Sequence, residues 1–392
     1  MSARLQLAAE ERRFWGAPMS VSPKKGGIGQ IFESNAYLRA AGFAVKSPSQ
    51  KPIKTKGNMK TRKLRDIEVS AIGMGCMGFT HGYGAAPSEG ESIRLMRKAF
   101  DLGCTLYDTA EVYSAYANEE LVGKALKPIR DKVALSSKVY PAFLPGQEIP
   151  EGKLSRRGIR AALEGSLRRL QTDRLDLYYV HRIPAGTDME ALAEIFAELA
   201  KEGKILAWGL SEATAEQIRK AHAAFPLSAV QSEYSMMERK WEREVIPLCG
   251  ELRIGFVAYS PVAGGFLSGK YGSDAVYEGD DVRRVISRYA KENVEANAPL
   301  LGLLKKYAGE KGATPAQIAL AWILRKGGFI VPIPGMRSDG RIAENLGAAG
   351  VELGDEEFAA LESELGKIKI HGDRRDEDIA KLGTIGGNTG GK

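Results

Sequence analysis

From Met59 onward the chain alternates eight short β-rich runs with longer helical patterns, and nothing else in it restricts the fold so strongly. The runs are AIGMG (71–75), TLYDT (105–109), VALSSKV (133–139), LDLYYVH (175–181), ILAWGLS (205–211), SAVQSEY (228–234), GFVAYSP (255–261) and FIVPIPG (329–335). Strands separated by helices predict a parallel sheet, and eight such units predict an α/β fold, a (β/α)8 TIM barrel. The competing open, doubly wound sheet calls for a GxGxxG turn after its first strand. Residues 73–78 read GMGCMG, with glycines at the wrong spacing.

The segments between the runs carry helical periodicity. In ESIRLMRKAFDLG (91–103), Ile93, Met96 and Phe100 recur at three-to-four spacing while Arg94, Arg97 and Lys98 fall off that stripe. EELVGKALK, RRGIRAALEGSLRRL, MEALAEIFAELAKEG and AEQIRKAHAAF read alike, and Gly103 and Gly203 stand where helix C-caps belong. The last gap is longer. It holds a polar stretch around Tyr271–Asn293 and helical runs at Ala298–Lys311 and Pro315–Lys326, as expected of a long loop over a barrel mouth plus an extra helix. RIAENLGAAG and DEEFAALESEL predict two closing helices. The expected division is an extension at 1–58, the barrel at 59–370 and a flexible tail at 371–392.

Charge separates the extension from the barrel. Residues 1–58 hold ten Lys/Arg against three acids, which accounts for the whole formal charge of +7 and leaves the remainder neutral. A neutral body argues against a nucleic-acid partner, which requires an excess of cations to displace counterions. Cys76, Cys104 and Cys249 form no CxxC pair, so a reduced cytoplasmic protein with no metal site is expected. No run approaches a membrane span, so no membrane partner is expected. The extension mixes Gly, Pro, Ser and Lys without periodicity and reads as disordered or dispensable: a misassigned start before Met59, a regulatory extension or a transit peptide.

The strand ends carry the chemistry. Asp108, Lys138, His181, Ser211, Gln231, Tyr259 and Gly335 each lie at the end of a run, and in a (β/α)8 barrel those ends converge on the face where active sites lie. Tyr113 follows Asp108 by five residues. A tyrosine of ordinary pKa near 10 is a poor proton donor at neutral pH; a neighbouring ammonium lowers that pKa, and a carboxylate positions the ammonium. A nearby histidine orients a polar substrate. Asp108, Tyr113, Lys138 and His181 together suit proton delivery to a carbonyl that receives hydride from a nicotinamide. Taken singly, each residue has an ordinary structural reading: a turn residue, a packed tyrosine, a surface lysine, a core histidine.

The stretches GMGCMG (73–78), DTAEVY (108–113), SSK (136–138), LDLYYVHR (175–182), GLSE (209–212), QSEYS (231–235), AYSPVAGGFLSG (258–269) and IPGMRSDGRIAEN (333–345) resemble, in order, those of the aldo-keto reductases. The resemblance implies NADPH-dependent reduction of a small-molecule aldehyde or ketone, with Tyr113 as general acid, Lys138 and Asp108 tuning it, and His181 orienting the carbonyl. It implies that Ser211 and Gln231 meet the nicotinamide carboxamide and that Tyr259 stacks on the ring. Gly75, Cys76 and Met77 would lie beside the cofactor, the latter two as packing. Ser260, Pro261, Val262 and Gly265 would follow the pyrophosphate, and Gly335, Arg337, Arg341, Glu344 and Asn345 the adenosine-phosphate end. Gly264 and Glu212 depart from the residues common there, Arg and Asn. The alternative is a nucleotide-binding auxiliary protein on the same scaffold, like the channel-associated relatives. Substrate choice is expected from loops 79–89, 140–153 and 266–292, where Tyr83, Tyr140, Phe143 and Phe266 suggest an apolar pocket.

Because the extension offers no periodic apolar face to bury, a chain starting at Met59 is predicted to keep the melting temperature and activity of the full protein. A loss of several degrees in a thermal melt would show instead that residues 1–58 dock on the barrel.

Overall fold

The computed structural model describes residues 59–141, 152–380 and 382; the extension, Phe143 and the last part of the expected tail lie outside the described residues. A hairpin opens the fold, β1 (Thr61–Leu64) paired antiparallel with β2 (Ile67–Ser70). Eight parallel strands follow in sequential order: β3 (Met74–Gly75), β4 (Leu106–Asp108), β5 (Ala134–Val139), β6 (Leu177–Val180), β7 (Trp208–Ser211), β8 (Ala229–Glu233), β9 (Gly255–Tyr259) and β10 (Ile330–Pro332). All eight expected runs are strands. The sheet closes on itself where Gly73 N donates to Pro332 O (2.9 Å), Gly75 N donates to Pro334 O (3.2 Å) and Gly75 bridges Gly335. The expected barrel is therefore the observed one.

Helices cover the outside: α1 (Glu89–Asp101), α2 (Ala117–Leu126), α3 (Arg156–Leu170), α4 (Met189–Lys201), α5 (Ala215–Ala224) and α6 (Val245–Glu251) follow β3 to β8. The long gap before β10 holds α7 (Lys291–Ala296), α8 (Ala298–Lys311) and α9 (Pro315–Lys326); α10 (Asp339–Gly347), α11 (Asp355–Leu365) and the short α12 (Asp376–Ala380) end the described chain. Local chemistry sets the boundaries. Ser88 caps α1 by accepting from Glu91 N, with Glu89 and Glu91 in the first turn favouring the positive helix end. Thr314 and Gln317 form a capping box for α9, with Pro315 in its first turn. Gly103 and Gly203, at positive φ, follow the C-caps of α1 and α4.

Two apolar layers hold this together. Between sheet and helices lies the larger core, with Trp208, Trp322, Tyr178 and Phe196 fully buried. Inside the barrel is a smaller cluster of Leu106, Ala134, Leu177, Ala229, Val257 and Val331, joined by Leu64, Ile67 and Val69 of the hairpin. The hairpin thus plugs one end of the barrel, and Gly255 admits it: a Cβ there would stand 2.4 Å from the Leu64 side chain.

One difference from the sequence reading concerns the C-terminus. The boundary at 370 falls short. His371 N and O bond both ends of the Asn297 amide (2.9 and 2.8 Å), Asp373 exchanges bonds with Ser287, and Ile379 is buried, so residues 371–380 pack on the barrel instead of forming a free tail. No apolar periodicity marks this segment, because polar bonds anchor it. After Tyr113, Ser114, Ala115 and Tyr116 all adopt positive φ (50°, 47° and 79°), which L-residues normally leave to glycine. The buried Asn118 holds that turn, accepting from Thr109 Oγ1 (2.6 Å) and donating to Cys76 O (2.9 Å), and the Arg169 guanidinium lies 4.2 Å from the Tyr116 ring.

Close helix packing makes a prediction. Gly123 lets α2 approach α3: a Cβ there would sit 2.5 Å from Arg169 O, a backbone atom that cannot yield. Ala normally gains about 1 kcal/mol over Gly inside a helix, but overpacking against backbone costs about 1–3 kcal/mol and forfeits that gain. Gly123→Ala is therefore predicted to be destabilising in urea unfolding. Gly302→Ala, exposed in α8 with open space around its Cβ, stabilises by about 0.5–1 kcal/mol. Equal effects at the two positions would contradict the packing argument.

Candidate active site

A pocket opens at the C-terminal ends of the strands, lined by residues from β3, β4, β8 and β9 and by residues just beyond β5, β6 and β10. At its floor is a buried ion pair. Lys138, wholly buried on β5, reaches the carboxylate of Asp108 at the end of β4 and donates to Thr109 O at 2.8 Å. The other Asp108 oxygen accepts from Ser136 Oγ (2.6 Å) and Gln231 Nε2 (2.9 Å), so its acceptors are filled from β5 and β8. Sheet register brings these groups together: Asp108 pairs with Ser136, and Lys138 lies two residues farther along the same face of β5.

Tyr113 lies above this pair, its ring centroid 5.4 Å from Lys138 Nζ. Burial works against the lysine's charge, but the Asp108 carboxylate and then Tyr113 outweigh it, and its pKa is raised. For Tyr113 the net direction corrects the sequence argument. Lys138 does favour the phenolate, but burial dominates and Asp108 adds to it, so the phenol is pushed above its ordinary value. Tyr113 is thus a fully protonated phenol at neutral pH.

His181 completes the group, edge-on to Tyr113 with ring centroids 5.7 Å apart. Burial first, then Arg182, Lys138 and Arg374, hold its imidazole well below the ordinary histidine range, so it is neutral at pH 7. Its Nδ1 is buried and has no partner among the described residues. Asp108, Tyr113 and His181 therefore line one pocket, with Lys138 buried behind them against Asp108.

Beyond Tyr259 the backbone turns back on itself: Ser260, Ala263, Gly264 and Gly265 all have positive φ, the last at 104°. A Cβ on Gly264 would meet Tyr289 Oη at 2.5 Å, so a larger residue here would require Tyr289 to shift. Such turns make N–H-lined concavities suited to phosphate. Farther along, Arg337 lines the pocket and donates to Tyr83 O (2.7 Å), while Arg341 donates to Tyr271 Oη (2.7 Å). Among the described residues neither has a carboxylate partner. Burial first, then Arg341 and Arg283, push the Arg337 guanidinium down against the opposing pull of Tyr271 and Asp281.

Most of the expected cofactor residues line this pocket: Gly75, Cys76, Met77, Gln231, Tyr259, Ser260, Pro261, Val262, Gly265, Gly335, Arg337 and Arg341. Three do not. Ser211 is buried beneath Arg182, whose Nη1 lies 3.4 Å from Ser211 Oγ. Glu344 faces Lys270 (3.1 Å), and Asn345 donates to Gly335 O (3.2 Å), steadying the exit of β10 from outside the pocket. Glu212 caps Glu233 N (2.8 Å) at positive φ. Tyr83 and Tyr140 line the pocket as expected, whereas Phe266 is packed in the core. The sequence reading missed Arg182, Arg283, Arg374 and Ile379. Arg182 was discoverable as the residue after the strand-end histidine; Arg374 and Ile379 carry no sequence signal.

Comparison with known proteins agrees with this geometry. The model of the aldo/keto reductase family matches residues 71–365. Among solved structures, the chain is similar to the glycerol dehydrogenase AKR11B4 from Gluconobacter oxydans, at 26% identity and TM-score 0.71, covering 79% of this chain and 96% of that one. It is also similar to an aldo/keto reductase from Klebsiella pneumoniae in complex with NADP and acetate, at 28% identity and TM-score 0.60, covering 78% and 95%. With the barrel, the strand-end residues and the family match in agreement, this chain belongs to the aldo/keto reductase family.

Proposed function

We propose that this oxidoreductase reduces an aldehyde or ketone to the alcohol with NADPH, and that Tyr113 delivers the proton. The observation that carries the proposal is the neutral phenol of Tyr113 and the neutral His181 facing one pocket above a buried Lys138–Asp108 pair. When bound, the nicotinamide supplies hydride to the carbonyl carbon. His181, uncharged and lining the pocket, hydrogen-bonds the substrate and holds its carbonyl toward Tyr113. Tyr113 gives its proton to the carbonyl oxygen as negative charge develops there. Lys138 stabilises the phenolate left behind, and Asp108 fixes the lysine.

The residues present fit the cofactor. The turn at Ser260–Gly265 offers backbone N–H groups to a diphosphate, and Arg337 and Arg341, which have no carboxylate partner among the described residues, offer guanidiniums to a 2′-phosphate. The Klebsiella relative was solved with NADP, and the Gluconobacter relative is a glycerol dehydrogenase, which agrees with NADP-linked carbonyl–alcohol chemistry.

Tyr113→Phe removes the transferable proton and is predicted to lower kcat by about 10²–10⁴-fold with NADPH binding retained. Near-full turnover would refute the mechanism; wild-type protein that binds NADPH without consuming it across an aldehyde panel would favour an auxiliary role. The acid must be protonated to act, and its pKa lies above the ordinary 10. Reduction is therefore predicted to stay level through neutral pH, with no step near 6.5 from His181, and to fall only as pH rises through the phenol's raised pKa. Lys138→Met, which removes a cation that favours phenolate, shifts that fall to higher pH as well as slowing turnover.

Arg337→Ala combined with Arg341→Ala is predicted to weaken NADPH while sparing NADH. Charge-assisted bonds are worth about 1.5–3 kcal/mol each, about ten- to a hundredfold in Kd per bond, and the NADPH preference shrinks at high salt. Equal losses for both cofactors in fluorescence titrations would mean that these arginines shape the loop and read no phosphate.

A further inference from the structure

The pocket contains a second group of guanidiniums that carbonyl reduction as described above does not use. Arg182, directly after His181, donates Nε to Asp376 (2.9 Å) and Nη1 to His181 O (2.8 Å). Arg374, from the segment that crosses the mouth, makes three contacts, all through Nη1: Asp376 (3.2 Å), Glu233 (3.5 Å) and Tyr259 Oη (3.5 Å). Glu233 is in turn shared with the buried Arg288 at 3.3 Å. Three guanidiniums thus divide two carboxylates, Asp376 and Glu233. Two further acids are engaged elsewhere: Glu212 faces Lys240 at 3.5 Å, and Asp373 pairs with Arg375 at 3.2 Å.

A guanidinium has five N–H donors. Among the described residues Arg182 Nη2 and Arg374 Nε and Nη2 have no acceptor, although both side chains are mostly withdrawn from solvent, 16% and 19% exposed. Both line the pocket that holds Tyr113 and His181. Their charges also reach the reacting groups: Arg182 acts on Tyr113, and both act on His181. Half-buried cations with unused donors, beside a proton donor, form a ready receptor for a planar anion.

We propose that Arg182 and Arg374 bind a carboxylate of the substrate, so that the preferred substrates of the reductase are carbonyl compounds bearing a carboxylate, such as oxo acids and semialdehydes. This rests on the proposed reductase activity and adds the substrate's charge to it. Asp376 is the positioning residue. It holds one guanidinium on each oxygen and leaves their remaining N–H groups to the ligand. Because a neutral aldehyde fills neither guanidinium, the preference is carried by the residue pair and not by the shape of the pocket. A phosphate of the cofactor is the other anion of similar chemistry, and it would reach these arginines only by displacing the proposed ligand.

Two measurements test this. The first compares kcat/KM for succinic semialdehyde and 4-formylbenzoate with their neutral primary amides. The carboxylates are expected to be favoured about ten- to a hundredfold, and Arg374→Gln and Arg182→Gln, checked by thermal melting, bring the ratio toward one. Reduction of amides and carboxylates alike would overturn the proposal while leaving the reductase intact; turnover of neither points to failure of the reductase reading. The second measurement needs no turnover and no variant: calorimetry of benzoate and benzamide with the wild-type protein, with and without saturating NADPH. Benzoate binding more tightly than benzamide to the NADPH-saturated protein supports a substrate subsite. Equal binding, or benzoate that NADPH displaces, overturns it, the latter by assigning the arginines to the cofactor.

Discussion

The active end of the barrel depends on an ammonium kept out of water. Lys138 has no solvent exposure, and its charge persists because Asp108 and Thr109 O surround it. Breaking a buried pair by removing one partner costs about 3–5 kcal/mol, since the other charge is stranded. The pair therefore constrains everything around it. Asp108 must keep Ser136 and Gln231 as donors, which ties β4, β5 and β8 together at one level. A one-residue slip of β5 would turn Lys138 out of the barrel. Register, closure and the buried ion pair are one structural requirement.

That dependence explains what the sequence could reveal. The strand ends are legible because β4 to β9 each place a polar residue at the level where the sheet stops, and the helices are legible because each buries one stripe. Asp108, Tyr113, Lys138 and His181 could be read as a group for the same reason: their spacing fixes them on neighbouring strands or just beyond. The hairpin at 61–70 was less legible, since four-residue strands with Arg62, Lys63 and Glu68 exposed or half-exposed resemble a loop. The sign of the Tyr113 shift could not be read at all, because it depends on how burial compares with a single cation, and burial is a property of the assembled site. Glu344 and Asn345 lie on α10, whose start reaches the pocket, but neither is among the residues that line it.

Charge in the pocket is arranged in two groups. Arg337, Arg341 and Arg283 gather around Tyr271, with Arg283 also paired to Asp281; Arg182 and Arg374 gather near His181. This second group has a consequence for the histidine. Burial first, and then the charges of Arg182, Lys138 and Arg374, keep the imidazole from holding a second proton, so it offers one N–H and one lone pair. Positive surroundings and a neutral histidine are two sides of one arrangement.

The segment 371–380 gives the fold a direction in time. A ribosome releases the hairpin and all eight strands before it releases Arg374 and Asp376, so the nascent chain can close its barrel while the mouth is still unfinished. A premature stop or a nick near Lys369 would spare both apolar cores except for Ile379 and the flanking Ile370 and Leu382, and it would delete the residues that bridge Arg182 and fasten to Asn297. Such a product would look folded by its secondary structure and still lack one wall of its pocket.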